Sequence, residues 1–196
     1  MSLFFRKLKG AKSPHRFLNS PIFLYFQREP TRLQYAPSGC KINSMKKVYV
    51  AASFAYASKE KTNQRKQEIE EVVNLIKDIT KDEYDFYIPH QFKIPNAWDI
   101  SLEEWSLEVY KHDVSVIDNA DMVIFISYGK ENNAGAVWEV GYAKALNKKI
   151  VMIKMTDEVE SLMLFGSVNT IIMKDEIQKY DWKSLPDYKT KLYKMS

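Results

Sequence analysis

The most constraining feature of the sequence is an apolar run at residues 122–127, followed by the segment NNAGAVWEVGYAKA at residues 132–145. A continuous apolar run rich in Val and Ile predicts a β-strand that is buried on both faces. Asn and Gly residues then interrupt the apolar pattern, which resumes at helical spacing with Asn133 in position to cap the helix. The stretch therefore predicts a strand, a turn and a helix in succession.

From residue 45 onwards the chain alternates in the same way between strand and helix patterns. Strands separated by helices form a parallel sheet with right-handed crossovers, and the helices cover both of its faces. We therefore predict an α/β fold, a doubly wound sheet of about five parallel strands. The predicted strands are 47–52, 84–88, 121–127, 149–154 and 169–173, and the predicted helices are 61–80, 101–119, 133–147 and a short one near 158–164.

The first 44 residues have a different composition from the rest. They carry eight Lys or Arg residues and one acid, a net charge of +7, whereas the remainder of the chain sums to −3. An Arg-containing segment almost free of acids resembles an organelle transit peptide. Because the amphipathic pattern is poor, we favour the alternative, sequence upstream of a start at Met45. Either way, we expect residues 1–44 to be a loosely attached basic extension and residues 45–196 to be the functional domain. Because the body has no basic stripe, we expect no nucleic acid polymer as a partner.

Several classes of function are disfavoured by what the sequence lacks. No apolar stretch approaches the ~18–20 residues of a membrane helix, so we expect no membrane contact. The single Cys40 excludes an internal disulfide framework, as is typical of a reducing compartment, and we expect a cytoplasmic protein. Three scattered His residues give no zinc spacing, and no Gly-rich phosphate loop is present. We therefore expect neither a metal nor a cofactor.

Amide and aromatic side chains follow three of the predicted strands. In parallel α/β sheets, ligands bind beyond the carboxyl ends of the strands. Surfaces of this composition suit a flat, neutral heterocycle. The candidates are Ser53, Phe54 and Tyr56 after the first strand, His90, Gln91, Asn96 and Trp98 after the second, and Asn132, Asn133 and Glu139 after the third.

Glu139 is the candidate nucleophile. It lies in the first two turns of the helix after the third strand, near the positive end of the helix dipole, where we expect a carboxylate to stay ionised. An ionised carboxylate can attack carbon. Tyr49, inside the first strand, could orient it through its hydroxyl. The alternatives are a solvated surface Glu and a Tyr that belongs only to the core.

Asp113 is the second candidate acid. Its neighbours three and four residues away on the 101–119 helix are apolar or aromatic, which predicts a carboxyl group on the sheet-facing side. Burial raises the pKa of a carboxyl group, so Asp113 could be a proton donor near neutral pH, or it could cap a loop amide. One ionised and one neutral acid in a single site are the pattern of glycosidic-bond chemistry.

We expect non-catalytic roles for His112 and for three tryptophans. His112 projects about 100° away from Asp113 around the helix, and we expect it at the surface. For Trp98, Trp105 and Trp138 we expect core packing, with stacking on a base as the alternative.

Four segments together resemble the nucleoside 2-deoxyribosyltransferase family. The similarity runs from about Met45 to Met173 and implies a flavodoxin-like α/β fold that moves 2-deoxyribose between bases without a cofactor. The substrates it implies are a 2′-deoxynucleoside and a free nucleobase. The segments are YVAASFAY at 49–56, HQF at 90–92, Asp113 with DNAD at 118–121, and NAGAVWEVGYA at 133–143.

The resemblance also implies roles for individual residues. Glu139 would attack C1′ and form a glycosyl-enzyme ester, Tyr49 would hydrogen-bond Glu139, and Asp113 would protonate or hydrogen-bond the departing base. Gln91 would bind the base edge, and Ser53, Phe54 and Gly135 are grouped with it as substrate-binding residues. Asn169 resembles the Asn that a neighbouring subunit lends to the 5′ end of the sugar, which implies a homo-oligomer built from dimers, such as the hexamers common in the family.

The residue at position 133 does not decide between a free nucleoside and a 5′-monophosphate as substrate. Six residues before the nucleophile, transferases of the family usually place an Asp that contacts a sugar hydroxyl, and related deoxynucleoside 5′-monophosphate N-hydrolases place a Ser that meets phosphate. Asn133 can both donate and accept. We expect a transferase with hydrolysis as a side reaction. The alternatives are the 5′-monophosphate N-hydrolase and a non-catalytic nucleotide-binding sensor.

Overall fold

The computed structural model describes residues 45–56, 58–81, 83–95 and 97–183. The predicted basic extension, residues 1–44, and the candidate Asn96 lie outside these ranges. The strands are β1 Lys46–Ala52, β2 Tyr84–Tyr87, β3 Met122–Ser127, β4 Lys149–Lys154 and β5 Thr170–Met173. The helices are α1 Lys59–Thr80, α2 Leu102–Asn119, α3 Ala134–Ala145 and α4 Leu162–Ser167, with short 3-10 turns at Pro89–Gln91, Gly129–Glu131 and Lys174–Lys179.

The strands form one sheet in the order β2-β1-β3-β4-β5, and every neighbouring pair is parallel. This is the strand order of flavodoxin-like folds. The α/β fold with a five-stranded parallel sheet, predicted from the alternation of strand and helix patterns, is confirmed for the described residues.

Alternating side chains of the strands build two cores, one on each face of the sheet. Val48 and Val50 of β1 point to the face covered by α1, where they meet the buried apolar side chains of that helix. Tyr49 and Ala51 point to the opposite face, which packs against α2, α3 and α4. Because successive strand residues face opposite sides, this register brings Tyr49 to the helices that carry Asp113 and Glu139.

Side-chain caps fix the beginnings of the helices. Ser101 forms a capping box with Glu104, and the Asn133 Oδ1 atom accepts a hydrogen bond from the backbone N–H of Ala136, as predicted for an N-cap. α4 begins later than predicted. Ser161 caps it, because the preceding Glu160 side chain is buried and hydrogen-bonds Ser127 instead.

The expectation that three tryptophans pack in the core is wrong. Trp98, Trp105 and Trp138 are 84%, 38% and 45% exposed. Trp138 lies on the outer side of α3, where it stacks on Tyr142 with ring centroids 5.3 Å apart. The buried tryptophan is Trp182, whose indole N–H donates to the Ile177 carbonyl. Within the described ranges, none of the helices combines the length and apolar character needed to span a bilayer.

Gly129 gives a test of the turn that leads from β3 towards α3. Its φ is +63°, and an added Cβ atom would lie 2.7 Å from the Glu158 Cβ atom. We expect Gly129→Ala to lower the free energy of unfolding by about 1–3 kcal/mol, measured by urea denaturation. Gly141→Ala is the control, since no atom lies within 4 Å of its added Cβ, and its helical position makes it neutral or up to about 1 kcal/mol stabilising. Equal stability of the two variants would contradict this account of the turn.

Candidate active site

The site lies at the carboxyl ends of β1 and β2, on the face covered by α2 and α3. Glu139 is on α3, one turn beyond the buried Ala136 that packs on the sheet. Burial, followed by the negative charge of Asp113, raises the pKa of Glu139 to about 8. The expectation that Glu139 stays ionised is therefore wrong for the site without a substrate. The positive end of the α3 dipole lowers the pKa of Glu139, but solvent weakens this effect. Desolvation raises the pKa and is the larger effect here.

Tyr49 is the residue of β1 that faces Glu139. Its side chain is fully buried, and among the described residues its hydroxyl has no standard hydrogen bond. Its interaction with Glu139 nevertheless lowers the pKa of that acid in part. Burial and the charges of Glu139 and Asp113 raise the pKa of Tyr49, so the hydroxyl remains a neutral donor.

Tyr87 is a site residue that the sequence analysis missed. Its hydroxyl donates a hydrogen bond to the Asp113 Oδ1 atom at 3.1 Å. Its ring stacks on Tyr49 with centroids 5.5 Å apart and an interplanar angle of 26°. Tyr87 and Tyr49 are register partners on neighbouring parallel strands. That pairing was the available signal, because a tyrosine at the end of the second strand shares a face with its partner in the first.

Asp113 is half-buried, as its position on α2 predicted. Burial raises its pKa, while the Tyr87 hydrogen bond and the nearby His112 lower it in part. The hydrogen bond from Tyr87 is a side-chain contact, and the role of Asp113 as a proton donor stays a prediction. His112 is not at the open surface as expected. Its ring stacks on Phe92 with centroids 3.7 Å apart, because the segment after β2 folds over α2.

Two other predicted residues fix α3 to the sheet. The backbone N–H of Asn133 donates to the Ser53 Oγ atom at 2.6 Å, and Ser53 is 1% exposed at the end of β1. The Asn133 Oδ1 atom is used by the N-cap, so its Nδ2 group is the part suited to a ligand. Gly135 lies in the first turn of α3, where an added Cβ would meet the Asn133 Oδ1 atom at 3.4 Å.

The remaining predicted residues lie apart from the two acids. The Gln91 Nε2 atom donates to Glu70 on α1 at 3.4 Å. Phe54 packs with the core on the α1 face and lies edge-on to His90. Asn169 lies at the amino end of the sheet, where its Oδ1 atom accepts from the Ile150 backbone N–H at 2.9 Å. The ligand contacts expected of these three residues stay predictions.

A polar network that the sequence analysis did not identify fixes the segment between β3 and α3. Glu160, 7% exposed, bonds the Ser127 hydroxyl, and the Asn132 Nδ2 atom donates to Ser127 at 2.9 Å and to Glu160 at 3.3 Å. Nearby, Lys61 and Arg65 each lie 2.6 Å from the Glu131 carboxylate. These contacts join the segment to the sheet and to α1. Within the described part of the chain, no three His, Cys, Asp or Glu side chains converge as a metal site would require.

Comparison with known proteins agrees with this fold. Residues 48–172 match the sequence model of the nucleoside 2-deoxyribosyltransferase family. The nucleoside deoxyribosyltransferase of Lactobacillus johnsonii is 25% identical over 112 residues, which are 56% of this chain and 67% of that protein.

Two solved structures resemble the fold. One is a 2-deoxyribosyltransferase from the psychrotolerant bacterium Bacillus psychrosaccharolyticus, with a TM-score of 0.62 and 23% identity over 74% of this chain and 99% of that one. The other is a conserved protein from Enterococcus faecalis V583, with a TM-score of 0.57 and 16% identity over 69% of this chain and 99% of that one. At these identities the likeness concerns the fold alone.

The molecule is thus a flavodoxin-like α/β protein with a buried pair of carboxyl groups at the carboxyl end of its sheet. More specifically, because the match covers most of the chain, the chain belongs to the nucleoside 2-deoxyribosyltransferase family. The resemblance expressed by the motifs at 49–56 and 133–143 is confirmed at the level of the family.

The raised pKa of Glu139 gives a prediction for stability. An acid with a higher pKa in the folded protein binds a proton that the unfolded chain releases, so stability is lost as the pH rises from about 4.5 to 8. Between pH 5 and 8 we expect the free energy of unfolding of the wild type to fall by on the order of 2 kcal/mol more than that of Glu139→Gln. Urea denaturation across this range is the measurement.

Glu108→Gln is the matched control, since Glu108 lies on the exposed side of α2 with its side chain 56% exposed. This variant should keep the pH dependence of the wild type. A Glu139→Gln protein with the same dependence would show that Glu139 ionises normally in the folded state.

Proposed function

We propose that the chain transfers 2-deoxyribose between nucleobases by cleaving the N-glycosidic bond of a 2′-deoxynucleoside, with hydrolysis as a side reaction. The observation that carries the proposal is the pair Glu139 and Asp113, two half-buried acids that interact with each other and each face a tyrosine. Membership of the family supports the type of reaction. We assign the activity to residues 45–196, since every side chain invoked lies there.

The reaction is a double displacement. The Glu139 carboxylate bonds to C1′ as the bond from C1′ to the base nitrogen breaks, and the electron pair of that bond stays with the base. The proton of Asp113 goes to this nitrogen and leaves a neutral base. A second base, or water, then attacks C1′ and releases the Glu139 carboxylate while its proton passes to the Asp113 carboxylate, so the configuration at C1′ is retained overall and both acids return to their starting states. Transfer exceeds hydrolysis where the site admits a base and excludes water.

The remaining roles follow the resemblance. Gln91 and Phe54 contact the base, and Gly135 lets the substrate approach the first turn of α3. Ser53 acts by fixing the N-cap of α3, which the 2.6 Å contact with Asn133 supports. Asn169 completes the site of a neighbouring subunit in a homo-oligomer. Its place at the amino end of the sheet, away from Glu139, supports a role in another copy and not in its own.

Product analysis with Glu139→Ala tests the reaction. The wild type should form deoxyadenosine when it is incubated with deoxyinosine and adenine, and chromatography follows the products. In Glu139→Ala, the rate of this base exchange should fall at least about 1,000-fold. Glu108→Ala is the control and should keep wild-type exchange. Free base without exchange would favour a hydrolase, and nucleoside binding without any turnover would favour the sensor. Base exchange by Glu139→Ala at a near wild-type rate would refute the nucleophile assignment.

A deoxynucleoside 5′-monophosphate N-hydrolase is the second candidate, favoured by one observation. The Asn133 Oδ1 atom is occupied by the helix cap, which leaves an N–H₂ donor and no negative charge next to the site. A neutral donor accepts a phosphate group that an Asp would repel.

Asn133→Asp tests the substrate choice without removing the cap, because Asp and Asn cap helices equally well. We expect the ratio of kcat/KM for a 5′-monophosphate over the free nucleoside to fall about tenfold or more, since a negative charge opposes the phosphate. Asn133→Ser, which stays neutral, should keep the wild-type ratio. An unchanged ratio in Asn133→Asp would remove this residue from substrate selection.

A further inference from the structure

We propose that the stacked tyrosines Tyr49 and Tyr87 divide a single proton between Glu139 and Asp113, with one hydroxyl assigned to each carboxyl group. The catalytic meaning of this division rests on the proposed function, while the division itself is a property of the protein without substrate. Tyr87 is then a positioning residue, since it acts on the departing base through Asp113 and does not touch the reacting atoms.

The geometry sets the four groups in two facing pairs. Tyr49 and Tyr87 occupy paired positions on β1 and β2, and their rings stack at 5.5 Å. Both therefore extend towards the face of the sheet that α2 and α3 cover. The Tyr87 hydroxyl donates to Asp113 at 3.1 Å, and the Tyr49 hydroxyl interacts with Glu139. One strand thus serves each acid-bearing helix.

The surroundings favour one shared proton. The titratable groups that face one another are Tyr49 and Tyr87 on the strands, His112 and Asp113 on α2, and Glu139 on α3. Burial raises the pKa of both acids, and the charge of Asp113 raises that of Glu139 further. Two charged carboxylates in this setting repel each other, so ionisation of one acid opposes ionisation of the other and the pair titrates as a unit. Both tyrosines keep their protons, because burial and the acids raise their pKa.

The position of the shared proton decides whether the site can react. With the proton on Asp113, Glu139 is ionised and can bond to C1′ while Asp113 protonates the leaving nitrogen. With the proton on Glu139, the site has neither a nucleophile nor an acid. The Tyr49 hydroxyl stabilises the ionised form of Glu139 and favours the first arrangement. The Tyr87 hydroxyl stabilises the ionised form of Asp113, which opposes that arrangement at rest and stabilises the carboxylate left after Asp113 has given its proton away.

The experiment follows the two acids in the full-length protein without substrate. Glu and Asp carboxyl groups are labelled with ¹³C and titrated by NMR, and the signals are assigned with Glu139→Gln and Asp113→Asn. The midpoint of Glu139 should move up by about one pH unit in Tyr49→Phe and down by about one pH unit in Tyr87→Phe. Opposite directions are the signature, since a loss of packing alone gives no reason for a change of sign.

Tyr84→Phe is the matched control. Tyr84 lies on the same strand as Tyr87, but it packs in the core on the α1 face and donates to the Trp182 carbonyl. Its loss should leave the Glu139 titration unchanged. Movement of Glu139 in the same direction in Tyr49→Phe and Tyr87→Phe, or an unchanged midpoint in Tyr87→Phe, would overturn the proposal.

A second variant keeps the test decisive if Tyr87→Phe does not fold. Replacement of Tyr87 by 3-fluorotyrosine keeps the ring and strengthens the donor, so the Glu139 midpoint should rise, and a fall or no change would overturn the proposal. The titration needs no turnover. A protein that divides the proton as described but never releases a base would therefore refute the proposed function and leave this inference intact.

Discussion

The candidate active site depends on two carboxyl groups that are partly desolvated and that interact electrostatically with each other. Desolvation and mutual repulsion make it costly to ionise both Glu139 and Asp113, and the raised pKa of each acid expresses that cost. The fold tolerates this because neutral tyrosine hydroxyls on β1 and β2 face the pair. A site built in this way holds a proton and a potential nucleophile together, which a pair of solvated acids would not do.

The surrounding structure holds this pair in position from the sheet. β1 supplies Tyr49 in its interior and Ser53 at its end, so the strand that faces Glu139 also fixes the first turn of the helix carrying it. The segment before α3 is held further by Ser127, Asn132 and Glu160. Buried networks of this kind hold a single arrangement only when each member has its partners. The position of the Glu139 carboxylate therefore depends on residues that never approach a substrate.

The sequence was sufficient to predict the sheet, the N-cap of α3 and the proximity of Tyr49, Asp113 and Glu139, because these follow from periodicity and from where parallel strands end. It was not sufficient to predict ionisation, since the desolvation of Glu139 depends on how closely α3 and α2 pack on the sheet. Tyr87 was missed because its role comes from its register with β1, which only the pairing defines. His112 was misplaced because the Phe92 segment that covers it has no regular pattern.

β2 is the shortest partner of β1 and lies at the edge of the sheet, where it pairs with one strand only. Edge strands open locally at a smaller free-energy cost than central ones, and their amides exchange with solvent sooner. Tyr87, the hydrogen-bond donor to Asp113, is therefore carried by an edge strand, whereas Tyr49 is carried by a central strand. Transient opening of β2 would separate Asp113 from the Tyr87 hydroxyl while the remaining four strands stay paired. The pKa of Asp113 therefore depends on a more labile part of the sheet than the pKa of Glu139 does.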